Sequence, residues 1–94
     1  MAGSIPSEFT RDWALRWVRG SVESYIAGRT RIEVVEGRIR RAVKSYGVSP
    51  EEVGAIVSLV TLDPALRVPK EVRKERAKPL LEYIENLSKG GSSG

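Results

Sequence analysis

The residues in this chain whose types and spacing could do chemistry are cations. Arg38, Arg40, Arg41 and Lys44 form one cluster, and Arg67, Lys70, Arg73, Lys74, Arg76 and Lys78 form a second. Their chemistry is electrostatic: such side chains neutralise phosphates and release the counterions held around a nucleic acid, with little regard to base sequence. Across the chain 16 Lys and Arg stand against 12 Asp and Glu, a net charge of +4, and the excess is concentrated in these clusters. The opposing expectation is a pair of solvated helix faces, because Glu33, Glu36, Glu71 and Glu75 are interleaved with the cations.

Other chemistry has few carriers. The chain has no His and no Cys, so the usual general base, a thiolate nucleophile and the soft or imidazole ligands of zinc are missing. The close carboxylate pairs are Glu33 with Glu36, Glu51 with Glu52, and Glu82 with Glu85. Each fits a solvated face or a helix-start charge. Neither glycine-rich phosphate-loop pattern occurs ahead of the terminal tail. The expectation is a protein that is not an enzyme and uses no cofactor and no metal.

The elements that must position these cations are helical. Ile32, Val35, Ile39, Ala42, Val43 and Tyr46 recur at three- and four-residue steps, which puts them on one face and Arg38, Arg41 and Lys44 on the other, with Arg40 at the edge. This predicts a helix over 29–46, in which β-branched Thr30, Ile32, Val34 and Val35 allow an extended start. Gly47 suits the left-handed residue that ends a helix. Ser49 then reads as an N-cap, Pro50 as the first helical residue and Glu52 as the partner in a capping box, predicting a helix over 50–62.

Before this pair, the pattern predicts a long amphipathic helix from Pro6-Ser7-Glu8 to Gly28. Its apolar stripe takes Phe9, Trp13, Trp17 or Val18, Val22, Tyr25 and Ile26. Trp13 and Trp17 are expected as core groups; only exposure would make them a stacking platform for bases or an anchor for a partner protein. After it, Asp63-Pro64 stops the apolar helix and 64–69 is a connector. The run 70–78 reads as a solvated helix, Pro79 as a break at Lys78 or a kink, and Leu80, Leu81, Ile84 and Leu87 as the inward face of a last helix.

Ala42 and Val43, then Gly47-Val48-Ser49, then Val53 and Ile56, form a segment that resembles the bihelical unit of helix-turn-helix proteins. That resemblance implies a second helix whose first turns face the DNA major groove. Here those turns carry Pro50, Glu51, Glu52, Gly54 and Ala55, which bring negative charge and no bidentate donor for a base edge. Sequence-specific reading by 50–62 is therefore not expected, and backbone binding through the cations is what remains.

The expected architecture is all-α, a small single-domain bundle of four or five helices. A disordered N-terminus at 1–6, the helical domain at 7–88 and a flexible Gly/Ser tail at 89–94 complete it. With no apolar run of about 20 residues and no signal-peptide layout, the chain reads as soluble and cytoplasmic, with no membrane partner. Depletion of Cys, Gln, Asn and Met beside 30% charged residues suggests a thermophile source. The expected function is that of an accessory component of nucleic-acid machinery holding phosphate backbone. The alternative is a protein-protein adaptor or homodimer without a nucleic-acid role, whose interface would be Ile56, Leu59 and Val60 on the uniformly apolar helix.

Overall fold

The computed structural model describes residues 7–93, with side chains described from Thr10 to Lys89; the predicted disordered segment 1–6 lies outside the described residues. Helices start and stop where local chemistry directs. The first, α1 (Ser7–Ile26), closes in a Schellman motif: Gly28 takes φ +84°, its N–H donates to the Tyr25 carbonyl, and the Arg29 N–H donates to that of Ser24. The next, α2 (Ile32–Ser45), begins after an extended Arg31, three residues later than predicted; of the β-branched residues only Thr30 stays outside, and the period carries Ile32, Val34 and Val35 into the helix. It ends before Gly47, at φ +73°. The predicted capping box opens α3 (Pro50–Thr61), with Ser49 Oγ accepting from the Glu52 N–H at 3.1 Å and Glu52 Oε1 accepting from the Ser49 N–H at 2.9 Å. Such a cap contributes about 1 kcal/mol.

A 3₁₀ turn at Pro64–Leu66, capped by the Asp63 side chain on the Ala65 N–H, leads to α4 (Lys70–Ser93). This helix runs through Pro79 without the predicted break. Pro79 removes the hydrogen bond to the Glu75 carbonyl, but both residues are exposed, so water can take that carbonyl. The helix also continues through Ser93, where a Gly/Ser tail was expected from residue 89. Extending a formed helix needs no new nucleus.

Each helix lends a stripe at three- and four-residue spacing to one core: Ala14, Val18, Val22 and Ile26 from α1; Val35, Ile39 and Ala42 from α2; Val53, Val57 and Val60 from α3; Ala77, Leu80 and Ile84 from α4. Fully burying one such Val, Leu or Ile contributes about 1.5–3 kcal/mol. α1 carries α2 on one side and α3 on another, and α4 packs chiefly on α3. Arg38 on α2 meets Ser21 of α1, whereas Tyr46 meets Trp13. As the α2 number rises the α1 number falls, so the two helices are antiparallel.

The expected core placement of both tryptophans is corrected. Trp13 is 52% exposed, and Trp17 is half-buried. The inward stripe keeps the expected Val18, Val22 and Ile26 but takes Ala14 in place of Trp13.

Candidate functional site

The predicted cations divide by what lies within their reach. Arg73 is only 7% exposed, and its guanidinium donates to the Asp63 carbonyl just past the end of α3. Arg76 donates through Nη1 to the Ile26 carbonyl at 2.6 Å, at the end of α1. Its guanidinium lies so close to Gly28 that a Cβ there would meet it at 3.2 Å. These two arginines are therefore corrected from phosphate contacts to helix-end caps, which oppose the negative end of each helix dipole. Tyr25 fastens the same junction by donating to the Arg76 carbonyl at 2.8 Å. Burial raises the Tyr25 pKa, the neighbouring Arg76 offsets part of that, and Glu36 adds to it.

Arg38 is half-committed. Its Nη1 donates to Ser21 Oγ at 2.9 Å, and its guanidinium carbon lies 5.8 Å from the Trp17 ring centroid.

Arg40, Arg41 and Lys44 are different. They are exposed and, with Gly37 and Ser45, line a shallow depression on the outer face of α2. No hydrogen bond or ion pair to a described residue holds any of the three. Arg40 also lies near Tyr83 on α4, where burial raises the tyrosine pKa, Arg40 lowers it and Glu36 raises it. Acids occupy the start of α2, at Glu33 and Glu36, where burial and Glu33 together raise the Glu36 pKa.

The remaining members of the second cluster, Arg67, Lys70, Lys74 and Lys78, are exposed. Lys74 stands beside α3 with Ser58, Thr61, Leu62 and Leu81, and with Lys78 it shares a surface with Glu71 and Glu75. Arg40 approaches α4 from the Tyr83 side instead. Arg40 and Lys74 therefore lie on different sides of α4; Glu71 and Glu75 lie among the α4 cations, whereas on α2 the acids stop at Glu36, one turn before Arg40.

The predicted interface also divides. Val60 is 1% exposed and belongs to the core, because it completes the Val53–Val57 stripe; Ile56 packs half-buried against that core; Leu59 is 60% exposed. Leu62, at 62% exposure, and Leu81 continue the apolar surface that Leu59 starts, and neither was predicted as part of it. At the start of α3 the carboxylate of Glu52 serves the capping box and pairs with Arg11, so one of the two negative charges expected there is already engaged, while Glu51 is exposed.

Beside the α2 face is an aromatic group. Trp13 and Trp17 stack at 5.1 Å between centroids with 21° between planes, and Tyr46 sets its edge against both, at 5.8 and 6.2 Å. The signal for this group was the four-residue spacing of the tryptophans, which runs parallel to the core stripe. Among the described residues no helix is long and apolar enough to cross a membrane, and no cluster of three or more carboxylates forms. Comparison with protein-family models, curated proteins and solved structures finds no match to this chain.

Proposed function

We propose that this protein is a small non-enzymatic nucleic-acid-binding module, an accessory component that holds phosphate backbone through the outer face of α2 with little sequence preference. One observation carries the reading: Arg40, Arg41 and Lys44 stand side by side, exposed and with no hydrogen bond or ion pair to a described residue. Like charges three and four residues apart on a helix repel, at about 0.2–0.5 kcal/mol per pair. A polyanion laid along the face would relieve that repulsion and release counterions. The acidic first turn of α3 offers no base-reading donor, which supports backbone rather than sequence recognition.

The test is fluorescence anisotropy of labelled duplex DNA, single-stranded DNA and structured RNA across a range of salt concentrations. Affinity that falls steeply with salt supports the reading, and absence of binding at low salt overturns it.

A second reading rests on a separate observation, the exposure of Leu59, Leu62 and Leu81. On that reading the chain is a homodimer or adaptor whose α3–α4 face meets protein. Sedimentation of the wild-type chain and of Leu59→Glu distinguishes a self-associating protein from a monomer.

A further inference from the structure

We infer that the nucleic acid is single-stranded and that one of its bases stacks on Trp13. This inference rests on the phosphate-binding reading above and names the form of nucleic acid the same region accepts.

The geometry is a row of flat groups that stops at the surface. Arg38 reaches Trp17 from the side of Ser21, to which it also donates. Trp17 stacks on Trp13, and among the described residues Trp13 ends the row, with 52% of its surface exposed. Tyr46 packs edge-on against both indoles and holds their planes from the α2 side. An exposed indole fixed in this way has its rotamer settled before a ligand arrives, so little side-chain entropy is lost on stacking. A core explanation does not account for it, because the stripe from Ala14 to Ile26 already fills the inward face.

Charge selects the occupant. The antiparallel packing that puts Arg38 beside Trp17 puts the later turns of α2, with Arg41, Lys44 and Ser45, toward the Trp13 end. Arg16, one turn beyond Trp13 on α1, is exposed as well. Aromatic faces beside a cationic track are how single strands are held without sequence preference: phosphates lie on the cations and unpaired bases on the rings. Bases inside a duplex keep both faces covered by their neighbours and cannot reach Trp13.

The chain contains two tryptophans, Trp13 and Trp17, so emission excited selectively from tryptophan reports on this site alone. The experiment titrates the full chain with a short deoxythymidine oligonucleotide, a duplex of equal length and inorganic polyphosphate, following tryptophan emission and the anisotropy of the labelled strands. The expected result is quenching by the single strand and none by polyphosphate. Trp13→Leu should weaken single-strand binding by roughly 5- to 150-fold, the range for loss of one stacked base, with helicity retained by circular dichroism. Trp13→Phe should recover part of the loss. Binding that persists without quenching, that is unchanged in Trp13→Leu and Trp13→Phe, or that favours the duplex overturns the inference and leaves the phosphate reading in place. If no nucleic acid binds at low salt, both are overturned.

Discussion

The end of α2 and the start of α4 are equally basic, but the fold uses them for different ends. On α4, Arg73 and Arg76 lie one turn apart and reach the carbonyls of Asp63 and Ile26, so their charge ties α4 to the ends of α3 and α1. On α2, Arg40, Arg41 and Lys44 are exposed along one depression, and no carbonyl of a described residue meets any of them. A cation's role is decided by what its face of the helix is pointed at. Local charge density says little about it.

The contrast can be broken most forcefully at Arg73. Arg73→Ala leaves the Asp63 carbonyl without its donor and removes a buried stem, and should cost about 2–4 kcal/mol in chemical denaturation. A change near zero would mean that the guanidinium only covers the surface. Tyr25→Phe removes one bond at the neighbouring junction, with an expected loss of about 1 kcal/mol by the same measurement.

On the other side of the contrast, replacing Arg40, Arg41 and Lys44 together with Ser should alter stability by less than about 0.5 kcal/mol per site. The same variant should lower the log–log salt slope of single-strand binding by about 2, as expected for three lost phosphate contacts. Leu59→Glu should also leave the fold intact, within about 0.5 kcal/mol, whereas Val60→Glu should unfold it, since a buried unpaired charge is strongly destabilising. Equal behaviour of the two in thermal unfolding would contradict the division of that patch between surface and core.

The smallest effect concerns pH. Burial and Glu33 raise the pKa of Glu36 in the fold, so the folded chain takes up this proton at higher pH than the unfolded chain. The residue therefore opposes folding while ionised, and its contribution becomes less unfavourable as pH falls through the raised pKa. Glu36→Gln should stabilise slightly at neutral pH, by less than about 0.5 kcal/mol, and the gain should vanish in acid. Denaturation midpoints at pH 7 and pH 4 check the sign.

What could be read from the sequence was what is local in it. Ser49, Pro50 and Glu52 fix a helix start within four positions, and the α2 face follows from one period. Leu59 and Val60 are adjacent in sequence, but only Val60 continues the stripe of Val53 and Val57, a distinction that spacing alone could have drawn. The acceptors of Arg73 and Arg76 could not be read in this way, because they lie 10 and 50 residues away and become neighbours only when the helices pack. The tryptophans fell between these cases. At the start of α1 two stripes one residue apart, Trp13–Trp17 and Ala14–Val18, competed for the interior, and the smaller side chains took it.

The most direct test of the contrast compares two variants in one binding assay: Arg40, Arg41 and Lys44 changed to Ser on α2, and Lys70, Lys74 and Lys78 changed to Ser on α4. Both lose the same charge, so a purely global electrostatic effect would weaken binding of a labelled single strand equally. The predicted result is a large loss of affinity and salt slope for the α2 variant and a small loss for the α4 variant, with helicity unchanged in both. Equal losses, or a larger loss from α4, would contradict the assignment of phosphate binding to the outer face of α2.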